Sequence, residues 1–257
     1  MNKQEKREQY WFVVQQLTAR ELKRKYARSA LGVLWSVLNP LLSMTVLSLI
    51  FSQMFRRSIE NYPIYYLTGY LLWQAFTGTT NAAMTTLSDN RSLLLKVKFP
   101  MELFIITRGC TALINLGYSF AAYAVMLVVF QIPVSWPVVF LPFIVACLFL
   151  FSLGLSYALA AAYVFYGDVQ HLYTVVLTLW MYCSAIFYPA DQLSGPIRQV
   201  VEINPLYLFI RCLRGAVMEA RPPSWQDLAL MILWGAGAYL AGWGIFRWFR
   251  VKLLQRL

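Results

Sequence analysis

The sequence predicts an all-α, polytopic membrane protein, and three observations predict it. The 257 residues are 60% hydrophobic with a mean hydropathy of +0.56, more apolar side chain than one soluble core of this length can bury. Several runs extend for about 18 residues or more almost without charge, long enough to cross about 30 Å of hydrocarbon. The net charge of +11 is segregated into the tails and one loop. Such segregation is the positive-inside bias of membrane proteins, and it favours anionic lipid headgroups over nucleic acid as the partner.

The chain reads as a single transmembrane domain, with residues 1–30 as a cytoplasmic interface segment and 31–257 as a six-helix unit. In the interface segment Tyr10, Val13, Val14 and Leu17 share one helical face, whereas Leu22 and Tyr26 lie opposite Arg20, Arg24 and Arg28. The two faces do not align, and Thr18-Ala-Arg-Glu21 has the pattern of a capping box. The spacing therefore predicts a break near Thr18 and a second helix lying in the membrane interface. A partner that pushes on this helix and simple anchoring to lipid both fit. The basic start does not resemble a cleavable signal, so the first span is expected to act as an uncleaved anchor.

Six spans are expected: Leu31–Phe55, Tyr65–Leu87, Met101–Ile132, Val138–Phe165, Leu172–Tyr188 and Leu228–Phe246. An even number places both tails on one side. Fifteen Lys and Arg then fall on the tail side against six on the other, with Arg108 inside a span, so both termini are expected in the cytoplasm.

Within the first span Ser36, Asn39, Ser43 and Gln53 fall on one face, which must meet a protein partner or water. Helix packing and an aqueous path are both open readings. The fifth span carries Tyr173, Trp180 and Phe187 at i, i+7, i+14 with Ser184 beside them. An aromatic stripe of this kind serves packing, or stacks on sugars. The loop from Leu87 to Pro100 is expected to hold a short helix, capped by Ser88 or Asp89, that exposes Leu93, Leu94 and Val97 beside Lys96 and Lys98. It fits a partner's groove or the membrane surface. The segment from Pro189 to Asp227 contains a run of about 15 apolar residues, too short to span. A re-entrant or interfacial helix pair is expected, with Asn204 as cap and Pro205 in the first turn. A tilted seventh span is the alternative.

None of the eleven carboxylates sits at mid-membrane, and no Gly-rich phosphate loop or metal spacing is present. The four cysteines are scattered and form no disulfide framework. The chain shows no catalytic constellation. If it transports, another subunit must supply the energy.

Leu22-Lys23 to Arg28-Ser29, Leu31-Gly-Val-Leu-Trp35, Pro40-Leu-Leu42, Lys96-Val-Lys-Phe-Pro100, Asp168-Val-Gln-His171, Phe187-Tyr-Pro189 and Asn204-Pro-Leu206 with Arg211 occur in an order that carries a resemblance. The chain resembles the membrane subunit, or permease, of type-2 ABC exporters. Within them it resembles the branch exporting lipid-linked cell-surface polysaccharides such as O-antigens and teichoic acids. Departures are Gly167 where Arg is frequent, Ala185 where Pro is frequent, and a missing second proline after Pro100.

The resemblance implies two copies working with two ABC ATPase subunits, which bind ATP and Mg; this chain itself would hold no cofactor or metal. It implies a pathway lined by Ser36, Asn39, Ser43, Gln53, Tyr173, Trp180, Ser184 and Phe187. It implies ATPase coupling through Arg20, Glu21, Arg24, Asp89, Leu94, Lys96, Val97, Phe99 and Pro100. It implies an outer gate at Tyr188, Pro189, Asn204, Pro205 and Arg211. The expected function is permease of a lipid-linked polysaccharide exporter in a bacterial inner membrane, not an enzyme. An exporter of a drug, peptide or simple lipid is the alternative, and a membrane enzyme acting on lipid-linked sugars a more distant one.

Overall fold

The computed structural model describes residues 3–27, 29–54, 59–96 and 99–256. Among them there are helices and no strands: α1 (Lys3–Tyr26), α2 (Leu34–Met54), α3 (Tyr62–Met84), α4 (Thr86–Asp89), α5 (Arg91–Lys96), α6 (Glu102–Val129), α7 (Leu141–Phe165), α8 (Val169–Tyr182), α9 (Gly195–Ile203), α10 (Pro205–Met218) and α11 (Trp225–Arg256). A 3-10 turn, Trp136–Phe140, leads into α7.

Among the described residues four segments are long and apolar enough to cross a membrane: Leu34–Gln53, Glu102–Val129, Trp136–Phe165 and Trp225–Arg256. The other two expected spans differ for separate reasons. Helix α3 carries Tyr, Thr, Gln and Asn, and packs on α2, α6, α7, α8 and α10; enclosed by protein, it has no need of uniform apolarity. Helix α8 stops at Tyr182 after 14 residues, about 21 Å at the helical rise, so its end comes six residues before the expected Tyr188. The last helix continues past Phe246 to Arg256 as one piece of 32 residues.

The centre of the bundle is α3 against α6, α7 and α10, with Tyr66, Phe76, Leu71, Leu72 and Phe209 almost fully enclosed. The most extensive pairing is α7 with α11. Small residues let the two backbones approach: a Cβ added at Gly235 would lie 2.8 Å from the Cys147 carbonyl oxygen, and one at Gly242 would overlap the Gly154 backbone.

Leu17 of α1, Leu87 of α4, Leu94 of α5, Phe104 of α6 and Leu253 of α11 share one apolar cluster. The tails and the 85–100 loop thus meet at one end of the bundle. Ala185, Ala190 and Val201, with Tyr188, Leu193 and Tyr207 against them, form a second cluster at the α8–α10 corner.

Two expectations about local structure are corrected. No break occurs near Thr18; α1 runs unbroken through it. The buried positions Val14, Thr18 and Glu21 recur at helical spacing, with Leu17 half-buried between them. The Glu21 carboxylate pairs with Arg108 instead of capping a backbone amide. In the loop, α4 and α5 are separate short helices, and Leu94 is 8% exposed whereas Leu95 is 62% exposed. The outward face therefore presents Leu95, not Leu94; Val97 lies outside the described residues.

Candidate functional site

Helices α1, α2, α3 and α6 enclose a cavity of about 630 Å³ at the tail end of the bundle. Each wall is one helical face: Glu21, Arg24 and Lys25 from α1; Trp35, Ser36 and Asn39 from α2; Gln74, Gly78 and Asn81 from α3; Arg108, Asn115 and Ser119 from α6.

Proline 40 explains one wall. Lying inside α2, it has no N–H for the Ser36 carbonyl. The Ser119 hydroxyl of α6 donates to that carbonyl at 2.8 Å. The Tyr26 hydroxyl donates to Asn115 Oδ1 at 2.7 Å, tying the end of α1 to α6.

The charged wall is a network. Arg108 Nη1 donates to Glu21 Oε2 at 2.5 Å and its Nε to Thr86 Oγ1 at 3.2 Å. Its other terminal nitrogen lies 3.6 Å from Asp89 Oδ2. Arg20 donates to Asn90 Oδ1 at 2.7 Å, and the Asn90 amide donates to the Thr86 carbonyl at 2.9 Å. Glu21 and Arg108 are both largely shielded from solvent. One chain of charge-assisted bonds therefore joins α1, the α4–α5 loop and α6.

At the opposite end Asn204 is the hub. Its Oδ1 accepts from Leu206 N at 3.0 Å, which makes it the α10 cap, and from Trp180 Nε1 at 2.9 Å. Its amide donates to the Cys183 carbonyl and to Ser184 Oγ. Pro205 occupies the first turn of α10. The Tyr62 and Tyr65 hydroxyls donate to the Phe187 and Tyr188 carbonyls, each at 2.9 Å. Arg214 donates to the carbonyls of Tyr65 (3.1 Å), Ala185 (2.8 Å) and Ile186 (2.9 Å) and lies 3.5 Å over the Tyr65 ring. Burial pulls its proton affinity below the ordinary arginine value. Arg211 pairs with Asp227, tying α10 to α11.

The structure gathers Ser36 and Asn39 with Glu21, Arg24 and Asp89 around this cavity. Ser43 is half-buried beside the Tyr66 phenol, and Gln53 lines a small cavity of about 230 Å³ with Glu60 and Tyr62. Tyr173 and Ser184 are buried inside the chain and Trp180 is half-buried; the Tyr173 hydroxyl donates to Thr80 Oγ1 at 2.8 Å, and Trp180 packs on Phe76 and Phe151. Phe187 packs on Phe51, Tyr66 and Tyr182. The open face of α8 is instead Leu172, Val175, Val176 and Leu179. Lys96 is exposed at the end of α5; Phe99 and Pro100 are half-buried. The Tyr188 hydroxyl donates to the Tyr182 carbonyl, and Pro189 introduces a short 3-10 turn.

The sequence reading did not assign roles to Gln74, Asn81, Asn115 and Arg214. A signal was available for Arg108, since an arginine inside a span needs a named partner, and Glu21 is that partner.

A helical bundle with four segments apolar and long enough to cross a membrane among the described residues, and a polar cavity at one end, has the build of a helical membrane protein. Residues 13–218 match the ABC-2 type transporter family, and the chain belongs to that family. It is 31% identical over 238 residues to the O-antigen export system permease protein RfbA of Myxococcus xanthus, covering 90% of this chain and 92% of that one. It is 24% identical to a Klebsiella pneumoniae protein of the same name, over 94% and 93% of the two chains. It is also 22% identical to the polysialic acid transport protein KpsM of Escherichia coli, over 80% and 81%.

Proposed function

We propose that this chain is the permease subunit of an ATP-driven exporter that moves a lipid-linked cell-surface polysaccharide across the bacterial inner membrane. The near full-length similarity to an O-antigen export permease carries this reading. The geometry supports it: α1, the α4–α5 loop and the α11 tail converge on one apolar cluster, as a docking platform for a separate ATPase requires. In this reading the chain crosses six times, through α2, α3, α6, α7, α8 with the turn that follows it, and α11, and both tails are cytoplasmic. Helices α9 and α10 form the outer gate. Two copies work with two ATPase subunits, which hold ATP and Mg.

Movement of the ATPases presses on Arg20, Arg24, Lys96, Phe99 and Pro100. The Glu21–Arg108–Asp89 network transmits it to α6. The exposed stripe of α2 from Asn39 to Gln53, about 21 Å long at the helical rise, lines the path between two copies. Trp180, Ser184, Phe187 and Tyr188 act behind it by holding the corner that must move.

The test is depletion of the chain in its own cells, followed by mass spectrometry of lipid-linked glycans in the cytoplasmic leaflet. Accumulated full-length glycan is the expected result. A normal surface glycan with no trapped intermediate would sink the reading.

A further inference from the structure

We propose that the cavity between α1, α2, α3 and α6 is a binding site, complete within one chain, for the phosphate-bearing sugar headgroup of a lipid. The proposal rests on the permease reading and adds a loading position that adjoins, at Asn39, the path between two copies.

Three observations carry it. The first is place and size. About 630 Å³ lies within the range of small-ligand sites, roughly 300–1,000 Å³. On α3 the lining runs from Leu71 to Ala82, which the helical rise makes about 17 Å of depth from the tail end inward. A headgroup taken from the inner leaflet would enter at that end.

The second is division of labour among the polar groups. Across the walls Tyr26 is bonded to Asn115, Arg108 to Glu21, and Ser119 to the Ser36 carbonyl. The Arg24 guanidinium and the carboxamides of Asn39, Gln74 and Asn81 make no hydrogen bond to another described residue, yet all four residues line the space. Carboxamides both donate and accept, which suits sugar hydroxyls. Arg24 and Lys25 beside them suit phosphate oxygens. The half-exposed Trp35 offers a ring face for the sugar.

The third is room. Gly78 faces the cavity, and a Cβ there would meet nothing within 4 Å. The small residues Ala75, Gly78 and Ala82 recur along that face of α3, so a ligand rather than a side chain can fill the volume.

The Gly78→Leu substitution tests the site directly, because its Cβ enters open space, its branch occupies part of the cavity, and it improves helix propensity. Arg24→Glu, at an exposed position, is the second variant. The complete exporter, permease with its ATPase subunits, is placed in lipid nanodiscs. Affinity is measured for a short-chain prenyl diphosphate N-acetylglucosamine, for phosphatidylglycerol and for inorganic diphosphate. The expected result is that both variants weaken the sugar-bearing probe at least tenfold, and that neither competitor displaces it at equal concentration. Unchanged affinity in both variants overturns the site. Equal binding of phosphatidylglycerol or of inorganic diphosphate overturns the sugar assignment and leaves a general anionic-lipid or phosphate site. Export in cells separates this failure from that of the parent reading. Wild-type cells that export no glycan refute the permease, whereas Gly78→Leu cells that export at the wild-type rate refute the cavity alone.

Discussion

At Arg214 a guanidinium is 5% exposed and, among the described residues, forms no ion pair with a carboxylate. Three backbone carbonyls and an aromatic face replace the water it lost. Two of those carbonyls, at Ala185 and Ile186, belong to the turn after α8, where Ala185 has a left-handed φ of 47°. A proline could not adopt that angle, so alanine at 185 is coupled to the geometry that Arg214 stabilises. Arg214→Met leaves the Ala185 and Ile186 carbonyls buried without a donor, at about 1–3 kcal/mol for each, whereas the Tyr65 carbonyl keeps its place in the α3 ladder. The purified chain should lose several degrees of melting temperature, with Arg214→Lys in between. A melting curve unchanged in the methionine variant would refute the anchoring role. The Glu21–Arg108 pair invites a double-mutant cycle with Glu21→Gln and Arg108→Gln. A coupling energy of about 0.5–3 kcal/mol is expected for two groups in one shielded network, read from thermal melting. Strict additivity would place the pair outside the network.

Much of the element plan was legible because apolar length and turn chemistry are local. The cap at Asn204 and the helix start at Pro205 follow from residues two apart. The errors came from tertiary partners that no local pattern encodes. Thr18-Ala-Arg-Glu21 has capping chemistry, but Arg108, far along the chain, claims the carboxylate and leaves α1 straight. Tyr173 and Trp180 have the spacing of a lining, but Thr80 and Asn204 turn them inward. The α5 helix shows the same effect at one position. Leu94 and Leu95 are equivalent as letters, while packing against the α11 tail cluster buries the first and leaves the second exposed. Leu94→Asp should therefore lower expression and stability, as a buried charge does. Leu95→Asp should leave the fold intact and weaken the coupling of ATP hydrolysis to export, measured on purified complex and in cells. Equal effects of the two would contradict this account of the loop. At the α7–α11 crossing, Gly242→Leu should prevent close packing and deplete the membrane of folded chain, since its Cβ alone already overlaps the Gly154 backbone.

The whole molecule exposes apolar side chains in two physically different settings. Leu233 and Leu240 of α11 and Val125 and Val128 of α6 are exposed with no polar residue interleaved that needs water, as suits a lipid-facing surface. On α2, Leu42, Val46, Leu49 and Ile50 are equally open, but Asn39 and Gln53 bracket them on the same side. A carboxamide held in hydrocarbon is costly without a partner, so the α2 face is expected to meet water or a protein partner. The expected consequence is a labelling contrast. With the four native cysteines replaced, Asn39→Cys and Gln53→Cys should react with a membrane-impermeant maleimide applied to inside-out and right-side-out vesicles respectively, and the rate should rise when ATP drives the complex. Val128→Cys and Leu240→Cys should remain unreactive in both. If all four cysteines behave alike, α2 is a lipid-facing helix, and the pathway must be sought along the aliphatic face of α8. If only the α2 positions react, its polar stripe is the wet surface. The cavity at its Asn39 end then opens directly onto that surface, which places headgroup binding and passage of the glycan on consecutive stretches of one helix.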